Sequence, residues 1–288
     1  MESKFCDPPK CVLLFPVEPF YDLLARARVY DLAQPYFIGM PHYPTHPPFL
    51  FSLTKKHGDI VLDGEVSSSA DAIAFGGHVG THIDALCHFS CGGRLYGDVD
   101  VRERQSYAGG LQSLSVDTIA PILRRGVLLD VAGHLAVDAL PVDFEITTAH
   151  LELIARTEQV EIQPKDVVLL RTGWARFFND PARFITGGRG AHPACPGPGL
   201  DAARWLSERG ISSAGSDTVA FEKVPSGMPV HVHLLVESGI HIIEMLNLEE
   251  LAEDRVFEFL FVATPLKIQG GTGSPIRPLA IVAPNTDC

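Results

Sequence analysis

The sequence has no apolar run of the length that crosses a membrane. A transmembrane helix needs about 20 consecutive apolar residues, and the longest apolar runs in these 288 residues have the length of strands. The start, MESKFCDPPKCVLLFPVEP, carries an apolar patch that proline and acidic residues interrupt, which is not the pattern of a signal peptide. We therefore expect no membrane partner and a cytoplasmic location.

Basic residues are also scarce. The chain has 23 lysines and arginines against 35 aspartates and glutamates, which gives a formal net charge of −12. A field of this sign repels phosphate backbones and anionic headgroups. We expect no nucleic acid as a partner.

The cysteines form neither a CxxC pair nor the framework of a small secreted domain. Two of them, Cys87 and Cys91, flank His88, which leaves open a soft metal ligand or a nucleophile. A free cysteine is more often a small buried apolar residue, and we favour that interpretation. The six cysteines are Cys6, Cys11, Cys87, Cys91, Cys195 and Cys288.

What the chain does contain is a mixture of strand and helix patterns. Apolar runs predict strands at residues 28–32, 60–66, 70–75, 126–131, 166–171, 211–214, 240–244, 257–263 and 279–282. Helical patterns cover residues 148–158, 199–209 and 230–238. Several strand runs are continuously apolar, which is typical of strands covered on both faces. Because no repeat or linker interrupts this order, we predict an α/β fold, one domain with a mixed sheet flanked by helices.

Residues 76–89 read GGHVGTHIDALCHF and bring together the chemistry of a metal site. His78, His82 and Asp84 fall at alternate positions, and alternate residues of an extended segment face the same side. Two imidazoles and a carboxylate are suitable ligands for zinc, manganese or iron. The neighbouring glycines are expected to leave room for a metal with its water. Histidines that are merely buried are the alternative, but each unsatisfied polar group would cost about 1–3 kcal/mol.

His88 follows shortly after this set. Its spacing is compatible with a fourth ligand or with a general acid/base, whose pKa is best placed near neutrality. The residues alone do not separate the two roles.

A second group of candidates lies in PVHVHLLVESGIHIIEMLNLEEL. On a helix over residues 230–238, His231 points inward with two leucines, whereas His233 lies about 200° away, so His231 is the better candidate. Glu244 ends an apolar strand row and is either solvated or paired with a cation such as a metal. We assign no role to His241.

Two further motifs carry weaker signals. Ser216, Asp217 and Glu222 follow a predicted strand, where active-site loops often lie, although serine and aspartate are also ordinary turn residues. GGTGSP at residues 270–275 lacks the lysine of a phosphate loop, so we interpret it as a tight turn.

The stretch HVGTHIDALCH, residues 78–88, resembles the motif HxGTHxDxPxH of the cyclase family of metal-dependent hydrolases, with Leu86 in place of the proline. The resemblance extends to the late histidine segment and to GGTGSP, over residues 29–282. It implies a swivelling β/β/α-like fold in a domain of residues 29–288, after an N-terminal extension of residues 1–28.

The resemblance also implies site roles. His78, His82 and Asp84 would bind one divalent metal, manganese or zinc, and His88 would be the catalytic acid/base. His231 and Glu244 would match a second metal or substrate site. Members of the family hydrolyse amide C–N bonds, and the long loops here are more like those of isatin hydrolases than of kynurenine formamidases. We therefore predict a homo-oligomeric hydrolase, a dimer or tetramer, that opens a cyclic amide.

Three alternatives stay open. The chain could be an arylformamidase that acts on N-formylkynurenine. His82, Asp84 and His231 also match the facial triad of a non-haem iron oxygenase, although that interpretation leaves His78 and His88 without a role. A catalytically silent metal-binding protein is the third, because a fold does not fix an activity.

Overall fold

The computed structural model describes residues 17–283 and is organised around one mixed sheet of nine strands. Four central strands are parallel, and antiparallel strands flank them on both sides. In spatial order the strands are Arg28–Asp31, Leu279–Val282, Glu258–Ala263, Ile122–Asp130, Val167–Arg171, Ser213–Ser216, His241–Glu244, His82–Asp84 and Gly273–Pro275. The predicted mixed α/β sheet is confirmed.

Both faces of the central strands are covered, as their continuous apolar runs predict. In the strand Ile122–Asp130, Val127 and Leu129 pack into the core on one face, while Leu128 packs into the core on the other. All three are fully buried. A third cluster, which includes Trp174 and Phe184, is formed by buried residues from outside the nine strands.

The helices are close to their predicted positions. Thr148–Glu158 begins after a capping box at Thr147, and Leu200–Glu208 buries its apolar stripe. Pro229–His231 continues into a π-helical segment, Val232–Ser238. The other helices and 3₁₀ turns are Val17–Arg26, Tyr96–Asp98, Val116–Thr118, Val131–His134, Trp174–Phe177, Pro181–Thr186 and Glu249–Glu253.

Short strand pairs lie outside the main sheet. Residues 60–66 are not the continuous strand that their composition predicts, because a turn divides them into Val61–Leu62 and Val66–Ser67. Ala70–Ala74 does form a strand, but it pairs with Leu50–Lys55 and both strands are exposed. The remaining pairs are Arg94–Leu95 with Val99–Asp100, Gln105–Ser106 with Gly110–Leu111, and Glu145–Ile146 with Gly197–Pro198.

The predicted N-terminal extension, residues 1–28, lies partly outside the described residues. Its described part contains the helix Val17–Arg26, which leads into the first strand of the sheet. No helix among residues 17–283 is long and apolar enough to cross a membrane.

Candidate active site

The candidate site lies where the parallel strands Ser213–Ser216 and His241–Glu244 end. Ligands of open α/β sheets bind at such carboxyl ends. Glu244 is the last residue of its strand and pairs directly with His82 on the neighbouring antiparallel strand. This register places both side chains on one face, and Asp84 shares that face two residues later.

The first group consists of the three side chains in the HVGTHID segment. His78 Nδ1 lies 2.7 Å from Asp84 Oδ1, and His82 Nε2 lies 3.5 Å from the same oxygen. One ligand atom from each of these residues falls within 4.8 Å of the other two. All three residues are buried. The structure therefore brings together the predicted set.

The reason for their convergence differs from the predicted one. Only His82–Asp84 is a strand, while Gly80 has a φ of 68° and His78 lies in a turn before it. Alternation along one extended segment therefore does not place His78. The turn folds its ring back over the strand, where Thr272 Oγ1 lies 2.8 Å from Nε2.

A second group shares Asp84 with the first and adds His231 and Glu244. His231 Nε2 lies 3.2 Å from Glu244 Oε1, and His82 Nε2 lies 3.4 Å from Glu244 Oε2. Glu244 is only 5% exposed, so the solvated strand end that its sequence position allowed is wrong.

Backbone and carboxylate acceptors orient the rings of His82 and His231. His82 Nδ1 donates to Gly80 O at 2.8 Å, which leaves Nε2 facing the carboxylates. Glu222 Oε1 accepts from His231 Nδ1 at 2.7 Å and from the His231 backbone N–H at 3.0 Å. Such outer partners fix the tautomer of histidines that bind metals.

Burial and charge act against each other in this site. Burial opposes the ionisation of Asp84, yet hydrogen bonds with His78 and His82 hold its pKa well below the ordinary value. Burial likewise disfavours protonated His82, but hydrogen bonds with Asp84 and Glu244 raise its pKa to about 10. His231, between Glu222 and Glu244, also has a pKa raised to about 10. Protonated His82 and His231 thus place positive charge beside the buried carboxylates.

These residues fit a divalent metal. Asp84 Oδ2 is buried and has no hydrogen-bond partner among residues 17–283, although a carboxylate oxygen in such a place is costly unless paired. Two imidazoles and a carboxylate, with a second set sharing that carboxylate, are donors that zinc and manganese accept. Metal ions would replace the protons now held by His82 and His231.

A cavity of about 190 Å³ opens above both groups. His88 lines it and stacks on His78 with ring centroids 3.8 Å apart. Burial lowers the pKa of His88 to about 3, so its ring is neutral at pH 7. His46, which no sequence pattern marks, lies with its ring centroid 5.0 Å from that of His78. Other lining residues are Tyr43, Thr45, Phe89, Val219, Ala220 and Met228.

The glycines near the site do not serve metal access, which corrects the prediction made from their sequence positions. A Cβ on Gly80 would lie 2.6 Å from the Tyr36 ring, and one on Gly77 would lie 2.8 Å from Gly273 O. The space beside these two glycines is therefore filled by other residues of the protein and not by a metal with its water. The GGTGSP segment is also more than a tight turn, since Gly273–Pro275 pairs with the strand that holds His82 and Asp84.

Other candidate residues near these segments have structural partners. Asp217 accepts hydrogen bonds from Thr172 and from the Trp174 backbone N–H. His233 contacts Ser207 and Glu237 instead of the carboxylates of the site. His241 donates to Asp84 O at 2.8 Å, a backbone contact that its sequence position does not reveal.

The cysteines near His88 do not join either ligand group. Cys87 is buried, and burial raises the pKa of its thiol to about 12, whereas Cys91 is exposed. The candidate metal groups found in the described part of the chain contain histidine and carboxylate ligands only.

With this site on this sheet, the chain belongs to the cyclase family. The family model described as a putative cyclase matches residues 30–223. The fold agrees: a crystal structure described as a novel cyclase superposes with a TM-score of 0.81 at 28% identity, covering 93% of this chain and 91% of that one.

Two relatives with named activities are similar to the chain. An isatin hydrolase of Roseibium aggregatum is 31% identical over 216 residues, which is 73% of this chain and 73% of that protein. A kynurenine formamidase of Bacillus cereus is 27% identical over 259 residues, which is 88% of this chain and 96% of that protein.

Proposed function

We propose that this protein is a metal-dependent hydrolase that opens the amide C–N bond of a cyclic amide, such as an isatin-like lactam or imide. The observation that carries the proposal is the pair of buried ligand groups that share Asp84 beneath a cavity bordered by His88. The similarity to an isatin hydrolase supports the reaction class.

The proposed cofactor is one divalent metal ion, manganese or zinc, held by His78, His82 and Asp84. The group of Asp84, His231 and Glu244 would hold a second. When bound, a divalent metal supplies Lewis acidity for the attack of water on the amide carbonyl.

His88 is the proposed proton carrier. Its ring is neutral, borders the cavity and stacks on His78, so it is placed to take a proton from the attacking water. It then returns that proton to the departing nitrogen, because an amide nitrogen leaves poorly unless protonated. Replacement of His88 by alanine should reduce turnover and leave the metal content unchanged. A His88→Ala protein with normal metal and the parent rate would contradict this role.

The cavity favours a compact, uncharged substrate. Its volume is about 190 Å³, and its lining, taken from residues 17–283, contains no lysine or arginine. Recognition of an amino-acid carboxylate normally uses such a cation. N-Formylkynurenine carries an amino-acid group, whereas isatin does not. The arylformamidase alternative remains the second candidate because similarity to kynurenine formamidases spans 88% of the chain.

Three substrates separate these candidates. Isatin is a neutral lactam, formanilide is a neutral aryl formamide, and N-formylkynurenine is a charged aryl formamide. We expect the metal-loaded protein to have its highest kcat/KM on isatin and to prefer formanilide over N-formylkynurenine. Preference for N-formylkynurenine would identify an arylformamidase instead. No hydrolysis with full metal content would indicate a silent protein, and iron-dependent oxygen uptake would indicate the oxygenase.

The proposal also includes a homo-oligomer, dimer or tetramer, and a small-molecule amide as the substrate. The domain bounds, residues 1–28 and 29–288, and the cytoplasmic location stay predictions.

A further inference from the structure

The imidazole ring of His78 is held at both of its nitrogens. Nδ1 lies 2.7 Å from Asp84 Oδ1, which belongs to the same ligand group. Nε2 lies 2.8 Å from the hydroxyl oxygen of Thr272, a residue outside both ligand groups found among residues 17–283. The two residues are 194 positions apart in the chain, so the fold and not the local sequence makes this contact.

The two nitrogens of this ring face different partners. Asp84 Oδ1, which His78 Nδ1 contacts, also lies 3.5 Å from His82 Nε2. Three candidate ligand atoms therefore face one another. Because the nitrogens of an imidazole point in different directions, His78 Nε2 cannot join these atoms while it contacts Thr272. Only Nδ1 of His78 is directed at the other ligands.

The position of the Thr272 hydroxyl is set by the strand that carries Asp84. The Thr272 backbone carbonyl accepts from the Ala85 N–H at 2.9 Å, and Gly273 pairs with Asp84 in antiparallel register. A Cβ at position 273 would lie 2.5 Å from His78 Cε1, so glycine leaves the room that the ring occupies. The backbone thus holds the hydroxyl beside the ring.

We propose that Thr272 is a positioning residue that turns Nδ1 of His78, and not Nε2, towards the metal. The inference rests on the proposed function, because it takes His78 as a ligand. An imidazole that binds a metal through one nitrogen carries its proton on the other, and the acceptor of that proton fixes the tautomer and the ring orientation. Thr272 Oγ1 is this acceptor for His78 Nε2–H.

The two histidines of the ligand group then bind through different nitrogens. His82 Nδ1 donates to Gly80 O at 2.8 Å, which leaves Nε2 of that ring for the metal. His78 has the opposite arrangement, with Nε2 occupied by the hydroxyl and Nδ1 beside Asp84. Each ring therefore has its own acceptor on the side away from the carboxylate.

The same hydroxyl also sets the position of the proposed proton carrier. His88 stacks on His78 with ring centroids 3.8 Å apart and an angle of 25° between the ring planes. Because the two rings are in contact, a rotation of His78 displaces His88, and proton transfer requires His88 to stay within hydrogen-bond reach of the reacting atoms. Thr272 is not among the described residues that line the cavity, so it should affect kcat more than KM.

Three variants test the role of the hydroxyl. Thr272→Val removes it from a side chain of similar shape, and Thr272→Ser retains it. The matched control is Thr157→Val, which removes a hydroxyl that donates to Leu153 O at 2.9 Å on an exposed helix surface. Competition with a chromophoric chelator gives the zinc affinity of each purified protein, and assays at saturating zinc give kcat and KM for isatin.

We expect Thr272→Val to weaken one zinc site about tenfold, the lower end of the loss that removal of an outer partner typically causes. Its kcat at saturating zinc should fall while KM changes less. Thr272→Ser should recover most of the affinity, and Thr157→Val should behave like the wild type. A Thr272→Val protein with wild-type affinity and kcat would overturn the inference.

Nuclear magnetic resonance gives a readout that is independent of turnover. In zinc-loaded protein with ¹⁵N-labelled histidine, long-range ¹H–¹⁵N correlations show which nitrogen of each ring carries the proton, and the His78 signal is the one absent from a His78→Gln variant. We expect His78 to carry its proton on Nε2. A proton on Nδ1 would overturn the inference. A wild type that binds zinc in the expected tautomer without hydrolysing isatin would support it and contradict the proposed function.

Discussion

Glu222 is predicted to control how firmly the second ligand group binds metal. It touches none of the proposed ligand atoms facing the cavity, but it holds His231 through two hydrogen bonds to one oxygen, at 2.7 Å and 3.0 Å. Its other oxygen accepts from Ser226 Oγ at 2.8 Å. Replacement of Glu222 by alanine frees the His231 ring and its tautomer.

The expected magnitude follows from these contacts. Hydrogen bonds to a charged group contribute about 1.5–3 kcal/mol each, and removal of such an outer partner typically lowers metal affinity about 10- to 100-fold. We expect Glu222→Ala to weaken one metal site within that range. Glu222→Gln should recover part of the loss, because its amide oxygen still accepts from His231 Nδ1.

Titration with a chromophoric chelator, together with metal analysis, measures the effect without reference to turnover. The matched control is Glu237→Ala, which removes the 2.8 Å carboxylate contact of His233 on the same helix and should leave the affinity unchanged. Equal loss in both alanine variants would indicate a general effect on the helix. A Glu222→Ala protein that binds two metals per chain with wild-type affinity would refute the reasoning.

Two further predictions concern protons and backbone strain. The pKa values of His82 and His231 are raised to about 10 without metal, so both side chains are protonated at pH 7. Metal binding must therefore release protons, and the affinity for metal must rise with pH. Calorimetry in buffers of different ionisation enthalpy measures this release, and its absence would contradict the charge balance. Gly80→Ala should lower the unfolding free energy by about 1–3 kcal/mol, because a Cβ would lie 2.6 Å from Tyr36. Gly39→Ala is the control, because Gly39 has a similar φ but a Cβ there would meet nothing within 4 Å. Equal losses of stability in thermal melts of the two variants would exclude the clash as the cause.

The central fold was predictable because its signal is local. Continuous apolar runs mark the buried strands, and the capped helix Thr148–Glu158 has the predicted bounds. Residues 60–66 were harder to predict, since they have the composition of a buried strand but form a short exposed hairpin. Composition records apolar character and does not say whether the chain's own core or another molecule covers it.

The site was predictable in its members but not in its geometry. Residue type and spacing singled out His78, His82 and Asp84, yet a turn at Gly80 rather than strand alternation brings the first of them in. His46 and Thr272 carry no such pattern. They reach the site only because segments far apart in the chain pack together there, and tertiary contacts of this kind leave no periodic trace.

The central claim is that a metal held around Asp84 makes this protein a cyclic amide hydrolase. The most direct test is kcat/KM for isatin, measured on chelator-treated protein as manganese or zinc is added back in known equivalents. The account predicts negligible activity without metal, a rise that reaches a plateau at one or two equivalents per chain, and no rise in an Asp84→Asn variant. Full activity in the metal-free protein, or in metal-free Asp84→Asn, would contradict it.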